Sequence, residues 1–259
     1  MGFIRCQIFS PLLHQHTSLC VAFPANMLDG KTKFPVLYLL HGGTEDSTIW
    51  FREANIEALA EKYGVFIASL DAMSSSYADM IHGLPYFSYL TQELPRLLRS
   101  RLPISHSAEG TYIAGLSMGG QGALKAAFRR PEQYAACISI SGARDMVPLY
   151  KQWESMENGP NLAGVIDAVG PIDKIYGSEN DLLYLAKKAV DEHRSLPAVY
   201  LACGDQDYAR ALSDDYHEYL VRLGLHHDYY VGPGTHSYTF GEAALDRALH
   251  LIWKGRCTK

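Results

Sequence analysis

The run Pro35-Val36-Leu37-Tyr38-Leu39-Leu40 has no charged residue and no polar alternation, and it ends abruptly at His41-Gly42-Gly43. A strand with one wet face alternates apolar and polar side chains. A strand apolar throughout must be covered on both faces, as in a parallel sheet flanked by helices. Residues 65–71, 111–115, 134–141, 197–204 and 229–231 read as further strands of this kind. Helical patterns lie between them: 48–62, stopped by Gly64; 86–102, which Pro95 must either start or kink; 118–129; and 180–193. Another follows Gly204, with Leu212, Tyr216, Tyr219, Leu220 and Leu223 at helical spacing. A last helix carries Ala244, Leu245, Ala248, Leu249 and Ile252 inward, with Thr239 and Glu242 as its expected capping box. Two early runs, 3–9 and 17–23, form an expected antiparallel hairpin at a sheet edge. The fold class is therefore α/β, a mostly parallel central sheet with helices on both faces.

One stretch breaks the rhythm. Residues 144–194, roughly fifty between two strands, exceed a simple crossover. The helix at 180–193 accounts for part of this; the rest is an insertion on the side where the strands end. Its Met146, Leu149, Tyr150, Trp153 and Met156 either line and lid a pocket or form a satellite core under a long loop. With 47% hydrophobic residues in 259, the chain has material for one sizeable core, and residues 1–259 are read as a single domain.

Charge excludes some functions. A net charge of −5 without a basic stripe argues against nucleic acid as a partner. No apolar run approaches the roughly 18 residues that span a bilayer, and no membrane partner is expected. The N-terminus lacks a signal-peptide core, and Cys6 stands where a myristoylation motif needs Ser or Thr. The five cysteines are scattered, without a C-x-x-C pair, which fits a cytoplasmic protein without structural disulfides. His14-Gln15-His16 and His226-His227 lack metal-ligand spacing, so no metal and no cofactor is expected.

Gly115-Leu116-Ser117-Met118-Gly119 matches G-x-S-x-G between a strand and a helix. That context lifts a serine hydroxyl clear of the sheet on a strained turn and sets the Met118 N–H at a helix N-terminus, where a developing oxyanion is favoured. A serine needs a base, and the base an orienting carboxylate. His236, in the turn-rich Gly232-Pro233-Gly234-Thr235-His236 loop, fits the base. Gly204-Asp205-Gln206-Asp207 offers two acids. Asp207 is the choice, because a G-x-x-D turn carries its acid over the strand end, while Asp205 reads as a turn residue bonding its own backbone. The Gly43 N–H is the expected second oxyanion donor, and His41 reads as structural.

The segments Pro35-Val-Leu-Tyr-Leu-Leu-His-Gly, Ala114-Gly-Leu-Ser-Met-Gly-Gly-Gln-Gly-Ala-Leu-Lys, Cys203-Gly-Asp-Gln-Asp and Gly234-Thr-His resemble the esterase D-like branch of the α/β-hydrolases over nearly the whole chain. Within it they are most similar to tributyrin or acetyl esterases, with S-formylglutathione hydrolases, feruloyl esterases and mycolyltransferases as relatives. The resemblance implies an α/β-hydrolase fold, hydrolysis of a small short-chain acyl ester, a Ser117–His236–Asp207 triad, and an oxyanion hole from Gly43 and Met118. It leaves a thioesterase or acyltransferase, and a non-catalytic binding protein on the same fold, as alternatives. Relatives are often oligomers, so a homo-oligomer is a further expectation. Relatives often carry aromatic residues two and five places after the histidine, where this chain has Tyr238 and Gly241, and a larger residue at Gly43. Trp153 and Tyr238 are accordingly the candidate substrate contacts.

Overall fold

The computed structural model describes residues 1–25, 33–157 and 162–257, the last with side chains to 255. In chain order the elements are β1 (Gly2–Ser10), β2 (Gln15–Phe23), β3 (Val36–Leu40), α1 (Ile49–Glu53), α2 (Ile56–Tyr63), β4 (Phe66–Leu70), α3 (Tyr86–Ser88), α4 (Leu94–Arg101), β5 (Thr111–Leu116), α5 (Met118–Arg129) and β6 (Ala136–Ile140). There follow α6 (Val147–Ser155), α7 (Ala163–Val169), α8 (Leu182–Asp191), β7 (Ala198–Gly204), α9 (Arg210–Arg222), β8 (Asp228–Gly232) and α10 (Tyr238–Cys257). The eight strands form one sheet in the order β1-β2-β4-β3-β5-β6-β7-β8. The hairpin β1–β2 and the β2–β4 pair are antiparallel; every other pair is parallel. This is the α/β-hydrolase arrangement.

The all-apolar run is buried at every position from Val36 to Leu40. Alternate side chains go to opposite layers, as the pleat requires. Val36, Tyr38 and Leu40 pack with Leu94 and Leu98 of α4, Leu124 and Phe128 of α5, Leu185 of α8 and Leu220 of α9. Leu37 and Leu39 pack on the other face with Trp50, Leu59 of α2, and Leu245 and Leu249 of α10. Edge strand β1, by contrast, has exposed residues along its length, consistent with the antiparallel hairpin. The chain leaves β3 toward β4 on one side and leaves β5 toward β6 on the other. The carboxyl ends of β3 and β5 therefore flank the switch point of the sheet, where a crevice opens.

Three details differ from the sequence reading. The segment 48–62 is two helices, because Ala54 adopts an extended conformation between α1 and α2. In 86–102 the helix is continuous but irregular: a π turn spans Tyr89–Glu93 immediately before Pro95, the kind of ladder irregularity that accommodates a proline within a helix. The Thr239–Glu242 capping box does not form. The helix begins at Tyr238, two residues earlier than a Thr239 cap would place it, Ser237 Oγ accepts the Phe240 N–H (3.3 Å), and Glu242 instead accepts from the Asn55 N–H (3.1 Å). Cys6, Cys20, Cys137 and Cys203 are free thiols, while the Cys257 side chain lies outside the described residues. No described helix is long and apolar enough to cross a membrane.

The insertion satisfies both readings made for it. Val147, Tyr150, Leu162, Ala168, Val169, Ile172 and Ile175 form a separate small core with Ala78. Met146, Tyr150 and Trp153 at the same time face the crevice, whereas Met156 is exposed away from it.

His41 ties the crevice to the sheet. It is fully buried; its Nε2 accepts the Ala72 N–H (3.0 Å), so its Nδ1 carries the proton toward Gly42 O (2.7 Å). Burial holds its pKa below the ordinary value of 6.5. The unfolded chain consequently takes up a proton at this position as pH falls below about 6.5, while the folded chain does not. Stability is lost from that point downward, by at most about 1.4 kcal/mol per pH unit. Urea midpoints measured at pH 7.5 and 5.5 should fall more steeply for the wild type than for His41→Gln; equal slopes would contradict the structural role.

Candidate active site

The turn from β5 into α5 holds Ser117 at φ 57° and ψ −117°, a conformation costly for a residue with a side chain. Two glycines make it possible. A Cβ on Gly115 would lie 2.8 Å from Gly119 Cα, and one on Gly119 would lie 2.7 Å from His41 O. The strained turn is held at both ends: the Ser117 N–H donates to Ile140 O of β6 (2.8 Å), and Ser117 O accepts from the Gln121 N–H (3.0 Å). Helix α5 thus begins against the ends of both β3 and β6, with the Met118 N–H in its first turn. Neither that N–H nor the Gly43 N–H has an intramolecular acceptor among the described residues.

Asp207 follows β7, and its carboxylate is fully enclosed. Its oxygens accept from Ser141 Oγ (2.6 Å), the Ala209 N–H (2.7 Å) and His236 Nδ1 (2.9 and 3.0 Å). Burial alone would raise its pKa. The hydrogen bonds from His236, Ser141 and Ala209 outweigh burial and hold it below the ordinary carboxylate value. Asp205 is occupied otherwise, its Oδ1 accepting the Gly234 N–H (3.0 Å) and tying two turns together. The ionised Asp207 places the His236 proton on Nδ1 and leaves Nε2 facing the crevice as an acceptor.

Ser117, His236, Gly43 and Met118 line one cavity of about 490 Å³ with Glu45, Gln121, Arg144, Met146, Tyr150, Trp153, Tyr208 and Tyr238. No hydrogen bond joins Ser117 to His236 in this structure. His236 Nε2 lies 3.3 Å from Tyr208 OH, and Ser117 Oγ accepts from Arg144 Nη2 at 3.4 Å. Both contacts are long, and catalytic hydrogen bonds commonly tighten only once substrate is bound.

Tyr238 lines the cavity, but its hydroxyl also serves the Gly42–Gly43 loop. It accepts the Gly42 N–H (3.1 Å) and donates to Glu45. Gly241 is filled from elsewhere in the chain: the buried Trp50 ring packs against it and meets Tyr238 edge-on at 4.7 Å. A side chain at Gly43 would meet nothing within 4 Å, so the small residue leaves that space to the cavity. Ser141, Tyr208 and Arg144 were not read from the sequence as site residues. The available signal was position: Ser141 and Arg144 follow an apolar strand that ends on the same side as Ser117.

Residues 10–251 match the family model described as Esterase. An acetyl esterase of Caldicellulosiruptor saccharolyticus is 27% identical over 98% of this chain and 99% of its own. Two solved structures from Staphylococcus aureus superpose closely. FphF, a fluorophosphonate-binding serine hydrolase in a substrate-bound form, has a TM-score of 0.88 at 27% identity, covering 97% of this chain and 98% of its own. The S-formylglutathione hydrolase FrmB has a TM-score of 0.86 at 26% identity with the same coverage. With a family match running from the first strand to the last helix, the chain belongs to the Esterase family.

Proposed function

We propose that this esterase hydrolyses short-chain acyl esters through Ser117 as nucleophile, His236 as base and Asp207 as the acid that orients it. The observation that carries the reading is the enclosed Asp207–His236 pair, which opens with Ser117 onto one cavity. Ser117 Oγ attacks the ester carbonyl while His236 Nε2 takes its proton. The oxyanion is received by the Gly43 and Met118 N–H groups. Collapse expels the alcohol, to which His236 returns the proton, and water then releases the acyl group by the same steps in reverse roles. The whole chain acts as one cytoplasmic domain on a small-molecule ester, with no cofactor. The bulky side chains of Trp153, Tyr150 and Met146 in the cavity lining support a short acyl group. The serine-hydrolase and acetyl-esterase relatives support the class. The likeness to an S-formylglutathione hydrolase supports a second reading, attack on a thioester carbonyl by the same groups; the ratio of kcat/KM for matched thioesters and esters decides between them.

Asp207→Asn should lower kcat on p-nitrophenyl acetate by about ten-thousandfold, because the amide stabilises the wrong imidazole tautomer. A small loss there beside a large one in Asp205→Asn would reassign the acid. Trp153→Ala should move the acyl-length optimum toward longer chains, at a stability cost of about 1 kcal/mol, since the ring is only partly buried. An unchanged chain-length profile with a large drop in Tm would leave Trp153 a purely structural residue.

A further inference from the structure

Arg144 stands four residues past the end of β6, and its side chain is almost wholly withdrawn from solvent, at 3% exposure. A guanidinium keeps its charge throughout the working pH range, and a buried charge is costly unless an anion pairs with it. Among the described residues no carboxylate forms an ion pair with Arg144; the acids nearby in sequence and space are already committed. Asp145 accepts from the Val147 N–H (3.0 Å) and Tyr176 OH (2.7 Å), and Asp207 is engaged by His236, Ser141 and Ala209. What Arg144 has instead is weak: its Nε meets Met146 Sδ (3.1 Å), its Nη2 reaches Ser117 Oγ at 3.4 Å, and the Tyr208 ring lies 5.7 Å away. Its Nη1 is buried with no hydrogen-bond partner. The same side chain lines the cavity that contains Ser117.

We infer that Arg144 is an anion-binding group of the substrate pocket, and that the enzyme's preferred esters carry a carboxylate a short chain from the scissile carbonyl. The inference rests on the ester-hydrolase reading of Ser117 and narrows its substrate class. An anion received by the guanidinium edge that lines the cavity, where Nη2 reaches Ser117 Oγ, lies about two or three bonds from the carbon under attack. The planar guanidinium matches a carboxylate through paired N–H donors, stronger than its present contacts with a thioether and a hydroxyl. Glu45 adds direction. It is the acidic residue of the cavity lining, and it sits on the loop after β3 with Tyr238 donating to it. A substrate carboxylate is repelled from that loop and drawn toward the β6 end.

The carboxylate can belong to the acyl part or to the alcohol, and two isosteric pairs separate these cases. Monoethyl succinate is compared with ethyl 4-methylpentanoate, and O-acetylglycolate with isobutyl acetate, by following acid release in a pH-stat. In one of the two pairs the wild type should favour the anionic member by about tenfold or more in kcat/KM. Arg144→Met should erase that preference, and Arg144→Lys should keep its direction. The wild-type ratios stand as a test even where the methionine variant does not fold. Rates within about twofold in both pairs, or a preference unchanged in Arg144→Met, would overturn the assignment. Hydrolysis of p-nitrophenyl acetate is the control: if it proceeds while the anionic preference is missing, only the anion site fails. If it is absent, the ester-hydrolase reading fails with it.

Discussion

The close approach of α5 to the ends of β3 and β6 is the constraint on which the rest of the structure depends. It puts Gly119 against the Leu40 and His41 carbonyls, leaves no room for a side chain there, and forces Ser117 into a left-handed conformation. The β6 strand holds this strained residue from the other side through Ile140 O. Burial of the flanking strands on both faces supplies the stability that such strain consumes. In return, one serine side chain, the first N–H of a helix and the glycine loop after β3 open onto the same small cavity. The sheet's switch point gives that cavity its place, and the insertion after β6 gives it a wall.

Several charged or titratable groups beneath the cavity are held by hydrogen bonds. His41 is neutral and uses both nitrogens to hold the Gly42 carbonyl and the end of β4. Asp207 is ionised inside the protein because three neighbours donate to it. Lys125, buried in α5 and lowered by burial to a pKa of about 7, is held by Ser76 O and Asn180 Oδ1, both at 2.8 Å. Arg144, on the cavity wall, is left with a buried N–H group that nothing among the described residues accepts and a second that reaches the serine hydroxyl. On the cavity wall this is the charge that no described carboxylate pairs with, and it is where we place the substrate's anion.

Much of this was legible in the sequence, for physical reasons. An apolar run without alternation can only be a strand covered on both faces, so Val36–Leu40 identified the layer architecture. The Gly-Leu-Ser-Met-Gly turn located the strained residue, and Asp207 and His236 followed from the turns after two strands. Boundaries set by competing side-chain partners were not legible. Glu242 carries the capping-box pattern, yet Asn55, distant in sequence, claims its carboxylate, and Ser237 becomes the cap. The empty place at Gly241 is filled by Trp50 from α1, which periodicity cannot reveal. Arg144 read as the start of an insertion, because burial of a charge depends on tertiary packing that a local pattern does not encode.

The central claim, that Ser117 on its strained turn is the activated nucleophile, is tested most directly by covalent capture. The protein is treated with a fluorophosphonate at neutral pH, weighed intact and mapped by peptide mass spectrometry. One adduct per chain, located on Ser117 and lost in both Ser117→Ala and His236→Ala, is the predicted result. An unlabelled wild type, or an adduct on any other residue, would contradict it.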